Sequence, residues 1–233
     1  MAKSVFQPLF EDNHLIAFNK PSGILVQGDK TGDKPLSEIA KEFLVKKYDK
    51  AGEAYLGVPH RIDRPTSGLV LFAKTSKALV RLNKMFQEKE IQKTYWAVVK
   101  NKPAKGEDKL VHYLLRNQQK NKSTAHQTEV PSSKRAELAY RTIMELDNYQ
   151  LLEVYPKTGR HHQIRSQLAA INCPIKGDVK YGFDRTNADA SIHLHARAMK
   201  FIHPVKKEEI TITAPPPNKD SVWKFIAKKI KSR

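Results

Sequence analysis

The sequence is poor in cysteine, in acidic residues and in long apolar runs. Cys173 is the single cysteine among 233 residues, which excludes an internal disulfide framework or a cysteine-rich zinc site and suits a reducing compartment. No apolar run approaches the 18 residues that a membrane-spanning helix needs, and no signal-peptide core stands near Met1. We therefore expect a cytoplasmic protein without a membrane anchor.

Acidic residues are outnumbered by basic ones. The chain has 42 Lys and Arg against 24 Asp and Glu, a formal net charge of +18. An excess of this size on a globular protein indicates a polyanionic partner, and nucleic acid is the usual one. A membrane surface is the other interpretation, but the chain lacks a long basic amphipathic helix and a lipidation signal.

One stretch combines charge, hydroxyl groups and turn formers directly before an apolar strand pattern. Residues 60–68 place one carboxylate, Asp63, between Arg61 and Arg64, and residues 69–74 follow as a buried strand. Nearby cations favour the ionised form of an acid, so Asp63 is suited to act as a nucleophile or base. The alternative is an ordinary surface turn in which arginine and aspartate neutralise each other.

A second dense cluster spans residues 157–165 at the start of a predicted helix. Gly159 and the first helical turn suit an anion, because free backbone N–H groups point outward there. Arg165 lies one position past an inward residue, where it can reach a carboxylate in a cleft; an ordinary basic helix start is the alternative. In the turn-rich stretch 174–182, Asp178 is interpreted as a turn residue.

Histidines offer a metal site as a further hypothesis. His193 and His195 would share one face of a strand, with His161, His162 or His203 completing the ligands. Because no acidic residue completes a recognisable ligand signature, we interpret them as hydrogen-bonded histidines and expect no metal.

The length of 233 residues allows one domain or two, and periodicity predicts both strands and helices. Strands are predicted at 14–19, 69–74, 95–99, 138–146 and 150–155, and Thr75 is placed to cap a helix. The hydrophilic residues 101–135 are predicted to be a polar insertion forming a solvated loop between sheet elements.

Taken together, these motifs resemble the RluA-type pseudouridine synthases, which modify bacterial ribosomal and transfer RNA. The matching segments occur in the same order along nearly the whole chain. They are residues 19–23, 60–68, 93–97, 159–165, 174–178 with 181–182, 195–196 and 214–215.

The resemblance implies a role for individual residues. Asp63 matches the catalytic aspartate, Tyr95 the tyrosine that stacks on the target base, and Arg165 the arginine that pairs with the aspartate. Arg61 matches a loop arginine that occupies the space of the flipped nucleotide, and Ile164 an apolar residue of the site. Further substrate contacts are expected from His60, Thr66, Ser67, Arg160 and Gln163. Departures from the usual pattern, at Ile62, His161 and Gln167, leave the nucleophile unchanged.

The fold that the resemblance implies is α+β, a mixed, mostly antiparallel sheet in two halves with flanking helices and a central catalytic cleft. It also implies that residues 1–233 form one catalytic domain. The implied reaction isomerises uridine in RNA and needs no cofactor and no metal. The chain resembles the form without the small RNA-binding module that precedes the catalytic domain in many relatives, and its lysine-rich end, residues 224–233, is a further candidate RNA contact. A monomer is the default expectation.

Two other functions are compatible with parts of the sequence. A nuclease using the histidines would need a metal and would break the RNA strand. A non-catalytic RNA-binding protein or chaperone on the same scaffold would have no use for Asp63, Tyr95 and Arg165 together. The sequence does not select between nucleophilic attack on the ribose, attack on the base, or deprotonation of the ribose by Asp63.

Overall fold

The computed structural model describes residues 7–218 and 220–231. Two predictions fall partly outside the described residues. They are the absence of a signal-peptide core, which concerns residues 1–6, and the lysine-rich end, of which residues 232–233 are not described. The elements, in chain order, are β1 (Phe10–Glu11), β2 (Leu15–Lys20), α1 (Leu36–Lys47), β3 (Ser67–Ala73), α2 (Ser76–Gln87), β4 (Gln92–Val99), β5 (Glu107–Asn117), β6 (Lys122–His126), β7 (Lys134–Glu145), β8 (Gln150–Pro156), α3 (Gln163–Ala170), β9 (Leu194–Ile202), β10 (Glu209–Thr213) and α4 (Ser221–Lys231).

Contacts divide the chain into two compact units. The first contains the described residues up to Ile91 and from His195 onward, and the second is Gln92–Leu194. Within the described residues the strands are mostly antiparallel and helices accompany them, so the predicted α+β class is confirmed. The description of residues 1–233 as one domain with a central cleft stays a prediction.

The first unit is built on the strand order β1-β2-β3-β9-β10. All pairs are antiparallel except β3 with β9, which are parallel where Ser67 faces His195 and Gly68 faces Ala196. Every residue of β3 is buried, as expected for a central strand covered on both faces. Thr75 caps α2 as predicted: its hydroxyl accepts a hydrogen bond from the Ala78 N–H at 3.2 Å.

The second unit is an antiparallel sheet in the order β4-β8-β7-β5-β6, and α3 packs on it. Its apolar core joins alternate residues of four strands with the inward residues of α3. Among them are Ala97, Leu110, Leu138, Leu152, Ile164 and Leu168. The period of two along each strand places these side chains on the same face of the sheet.

The prediction that residues 101–135 form a solvated loop is wrong. Residues 107–117 and 122–126 are β5 and β6, paired with each other and with β7. In β5, Leu110, His112 and Leu114 are buried while the residues between them are partly or fully exposed. One face of this hairpin meets water, so its composition is polar although its backbone is fully paired in a sheet.

No helix among the described residues is long and apolar enough to cross a lipid bilayer.

Candidate active site

In the first unit, residues 60–68 form the loop that leads into β3, and their burial alternates sharply. Ile62 and Thr66 are buried, Asp63 is partly exposed and Arg61 is exposed. The Thr66 N–H donates to the Asp63 carbonyl oxygen at 3.0 Å, which closes a tight turn around the aspartate. Ile62 and Thr66 thus anchor the loop in the interior, while Asp63 stays partly exposed.

Arg64 has partners besides the neighbouring loop residues. Its guanidinium forms an ion pair with Asp33 at 2.7 Å and donates to the Gly23 carbonyl at 2.9 Å. Through Gly23, Arg64 attaches the loop to the turn after β2.

Lys20 is a residue of this site that sequence analysis missed. Its side chain is 0% exposed, and its ammonium donates to the carbonyl oxygens of Pro21, Ile24 and Arg64 at 3.0, 2.7 and 3.1 Å. Burial lowers the pKa of Lys20 to about 7, while the Asp63 carboxylate acts in the opposite direction. Lys20 thus fastens the Asp63 loop and adds positive charge near it; the apolar residues before it in β2 were the signal that it would be buried.

The end of the loop is closed by backbone contact with β9. Gly68 has φ +114°, and a Cβ there would lie 2.3 Å from the Ala196 carbonyl oxygen, so only glycine fits. The Ser67 hydroxyl is 2.9 Å from His195 Nδ1, and the backbone N–H of Leu71 donates to His60 Nε2 at 2.9 Å. Substrate contacts of His60, Arg61, Thr66 and Ser67 stay predictions.

In the second unit, the turn before α3 is fastened to β7. The Gln163 side chain accepts from the Thr158 hydroxyl at 2.7 Å and from the Arg160 N–H at 3.0 Å, and it donates to the Glu137 carbonyl at 2.9 Å. Arg160 is exposed, and its Nε donates to the Arg135 carbonyl at 3.2 Å. These bonds fix the shape of the turn; the substrate contacts predicted for Gln163 and Arg160 stay predictions.

Arg165 lies in the first half of α3 and is bound by Asp178. Arg165 Nε and Nη2 donate to the two carboxylate oxygens of Asp178 at 2.7 and 2.8 Å, and the two side chains are 5% and 1% exposed. Asp178 lies in a turn, as the sequence indicated, since its N–H donates to the Ile175 carbonyl at 2.9 Å. Its pairing with Arg165 is a second role that the sequence did not predict. A bidentate pair of this kind fixes the orientation of a guanidinium and compensates its burial.

Tyr181 completes the environment of Arg165. The guanidinium carbon lies 4.9 Å from the centre of the Tyr181 ring. The Tyr181 hydroxyl accepts from the Ser123 N–H at 2.8 Å and lies 2.9 Å from His162 Nδ1. Arg165 is thereby oriented by charge on one side and by an aromatic face on another, while the hairpin formed by β5 and β6 supports that aromatic ring.

Tyr95 lies on β4, partly buried against the core that contains Ile164 and Leu168. The family resemblance pointed to both Tyr95 and Ile164, and both contribute to this one apolar cluster. An aromatic ring on a rigid strand, packed on one side and partly exposed, is suited to stack on a base.

The histidines form hydrogen bonds, as interpreted from the sequence. His193 Nδ1 lies 2.9 Å from the Asn187 side-chain nitrogen, and His195 bridges Ser67 and the Ala214 carbonyl. Burial lowers the pKa of His195 to about 4. The described residues include no group of three His, Cys, Asp or Glu side chains arranged to bind a metal ion.

Known proteins resemble this chain in sequence and in fold. Residues 14–170 match the family described as RNA pseudouridylate synthase. The chain is 28% identical over 244 residues to the "tRNA pseudouridine synthase C" of Vibrio parahaemolyticus, covering 97% of this chain and 95% of that protein. It is 34% identical over 214 residues to the "Ribosomal large subunit pseudouridine synthase C" of Buchnera aphidicola, covering 89% of this chain and 66% of the relative.

The fold is also found in a solved structure. The structure of human RNA Pseudouridylate Synthase Domain Containing 4 superposes with a TM-score of 0.76 at 20% identity, covering 96% of this chain and 92% of the human one. This likeness supports the fold alone, whereas the family match spans Asp63, Tyr95 and Arg165. The chain therefore belongs to the RNA pseudouridylate synthase family and is an RNA uridine isomerase.

Proposed function

We propose that Asp63 attacks or deprotonates the target uridine, that Arg165 is the counter-ion of this carboxylate, and that Tyr95 stacks on the uracil. The observation that carries the proposal is the environment of Arg165, a buried guanidinium already oriented by Asp178. Arginine has five N–H donors in a fixed plane, and Asp178 engages the Nε and Nη2 edge. The Asp63 carboxylate would accept from the remaining N–H groups of the same rigid guanidinium.

The reaction asks little of the protein beyond a carboxylate and a closed geometry. The bond from ribose C1′ to uracil N1 breaks, a bond from C1′ to C5 forms, and the proton lost at C5 is balanced by one gained at N1. No electrons are gained or lost overall, so no redox group is required. A carboxylate with a neighbouring cation stays ionised and is available for covalent or base catalysis.

The target base must leave the RNA stack to reach Asp63. Flipping a nucleotide costs a few kcal/mol, and stacking on an aromatic side chain returns about 1–3 kcal/mol. Tyr95, packed on one face by the core of the second unit, fulfils this need. The net charge of +18 supplies attraction for the surrounding phosphates.

We propose structured transfer or ribosomal RNA as the substrate, since relatives with either name match the chain. The chain covers more of the transfer RNA enzyme, and its identity is higher with the ribosomal one. Mapping pseudouridine in total RNA from cells with and without the protein tests this proposal. The position that disappears in the deletion strain identifies the substrate.

The nucleophile is tested with Asp63→Ala. We expect normal folding and RNA binding, with pseudouridine formation reduced to background. Asp184→Ala is the matched control, because Asp184 is an exposed carboxylate paired with Lys100, and it should retain wild-type activity. Product formed by Asp63→Ala would remove the assigned role. RNA cleavage by the wild type that stops with a chelator would instead indicate a metal nuclease.

A cytoplasmic location and a monomeric state complete the proposal. A single buried cysteine and an RNA substrate support a reducing, RNA-rich compartment. Cell fractionation with an antibody and sedimentation analysis of the purified protein test the two statements separately.

A further inference from the structure

Lys93, at the start of β4, is a partly buried lysine whose ammonium has no acceptor in the described part of the chain. Two lysines with buried or partly buried side chains show the contrast: Lys20 donates to three carbonyls, and Lys74 pairs with Glu11 at 2.7 Å. Burial lowers the pKa of Lys93, and no neighbouring charge or hydrogen bond acts against this effect.

An unpaired, partly buried cation destabilises a folded protein, because it loses hydration and gains nothing in return. Such a residue is understandable when its partner arrives with a ligand. Binding sites often retain groups that reduce stability for this reason.

The neighbours of Lys93 indicate which ligand would be its partner. Lys93 and Tyr95 are two residues apart on one strand, so their side chains leave the same face about 7 Å apart. A Cβ built on Gly159 would lie 4.0 Å from Lys93 Nζ, which places the ammonium beside the turn before α3. Gly159 is exposed, and within residues 7–218 and 220–231 its N–H donates to no acceptor.

The surrounding surface repels cations and attracts anions. Lys157 and Arg160 are exposed on the same turn, and the Arg160 side chain donates to the Arg135 carbonyl. The acidic side chain at this turn, Glu137, already contacts Arg135. A mobile anion approaching the turn therefore meets several cationic groups without a competing free carboxylate there.

We propose that Lys93 and the backbone N–H of Gly159 bind one phosphate group of the RNA backbone next to the target uridine. This inference rests on the proposed function, because it takes Tyr95 as the group that contacts the uracil. The phosphate would neutralise the charge of the Lys93 ammonium. It would also fix the position along the protein of the RNA strand from which the base is flipped. Lys93 is thus a positioning residue for the substrate and takes no part in bond making.

The test combines stability with RNA binding in Lys93→Met and Lys93→Gln. Without RNA, both variants should raise Tm by about 2–4 °C, since they remove an uncompensated charge. Binding to a single-stranded 12-nucleotide oligouridylate should weaken about tenfold. The slope of log K against log salt should fall by about 0.7, the contribution of one phosphate contact on a single strand.

Two controls separate this role from a general loss of charge. Lys102→Met removes an exposed lysine of the same unit, paired with Glu145 at 2.6 Å, and should leave Tm and the salt slope unchanged. Lys93→Arg keeps the charge and should restore most of the affinity. With an RNA that the wild type modifies, Lys93→Met should raise KM about tenfold and change kcat less than twofold.

The proposal is overturned if both neutral variants unfold or have a lower Tm, because Lys93 would then be structural. It is also overturned if Tm rises while affinity and salt slope stay at wild-type values. Failure of the proposed function would look different: Asp63→Ala would still form pseudouridine, or Tyr95→Ala would bind RNA as tightly as Tyr95→Phe, while the dependence of oligouridylate binding on Lys93 could still be measured.

Discussion

Asp178 binds Arg165 through both of its carboxylate oxygens, at 2.7 and 2.8 Å, and water reaches neither side chain appreciably. The two residues are 13 positions apart, one in α3 and one in the turn that follows. Because the pair is buried, Arg165 keeps one orientation without any substrate. Asp178 is therefore a positioning residue for the cation that we propose as partner of Asp63.

Asp178→Asn should impair both stability and turnover. Removing one charge of a buried pair leaves the other uncompensated, so the free energy of unfolding should fall by about 3 kcal/mol. We expect kcat to fall at least tenfold, because the guanidinium loses its fixed orientation. Oligouridylate affinity should stay within twofold. Urea unfolding and single-turnover kinetics measure these effects. Asp184→Asn, in an exposed pair, should change neither, and an unaltered kcat in Asp178→Asn would refute the positioning role.

Substitutions at Tyr95 should separate stacking from hydroxyl chemistry. Tyr95→Phe keeps the ring and should bind RNA normally, so any loss of kcat in it reports on the hydroxyl. Tyr95→Ala should weaken binding of the target RNA by about 1–3 kcal/mol, the value of one stacked base. Titration of fluorescent RNA measures both, with Tyr55→Ala as the control at an exposed tyrosine of the other unit. Equal affinity of the Ala and Phe variants would contradict base stacking.

Gly68→Ala should destabilise the first unit strongly. The backbone there has φ +114°, and a Cβ would lie 2.3 Å from the Ala196 carbonyl oxygen, which belongs to a rigid strand. Positive φ and the clash together should cost about 2–4 kcal/mol. Gly106→Ala is the matched control, since nothing lies within 4 Å of a Cβ there. Thermal unfolding compares the two; a Gly68→Ala protein with wild-type Tm would show that β3 and β9 are not held at this distance.

The stability of the first unit should fall in acid through Glu11. Burial alone would raise the pKa of Glu11, but hydrogen bonds from Lys47, Lys74 and Tyr48 outweigh it and lower the pKa from 4.5 to about 2. A carboxyl whose pKa is lowered by folding contributes stability above its unfolded pKa and loses it as pH falls through the folded value. The loss should therefore occur between pH 4.5 and 2.

This pH dependence is tested with Lys74→Met. Loss of the ion pair at 2.7 Å moves the Glu11 pKa back toward 4.5, so stability at pH 7 should fall and its dependence on pH below 4.5 should become shallower. Urea unfolding at pH 7, 4 and 3 measures the change, with Lys84→Met as the control in an exposed pair with Glu88. Parallel curves for Lys74→Met and the wild type would contradict the assignment.

Several features followed from local pattern. The cap at Thr75, with the helix α2 that follows it, and the apolar run of β3 appear where the sequence indicated. These features depend on residues within a few positions of one another. Local geometry repeats every 3.6 or 2 residues and can therefore be recognised without knowing the fold.

The hairpin of β5 and β6 escaped recognition because its composition is polar. Leu110, His112 and Leu114 are the buried residues of β5, and they lie within residues 101–135, which are rich in charged and amide side chains. The local signal of this strand was its run of mostly apolar and aromatic residues at 110–115.

The sequence by itself determined the family, the ordered set of motifs that contains Asp63, Tyr95 and Arg165, and five of the ten strands that the structure describes. Only the tertiary structure decided that Asp178 binds Arg165, that Lys20 reaches the Arg64 carbonyl 44 positions away, and that Lys93 has no acceptor among the described residues. The physical reason is that a buried charge must be matched by whatever lies beside it in space. That neighbour depends on how strands pair and helices pack, which no spacing along the chain records.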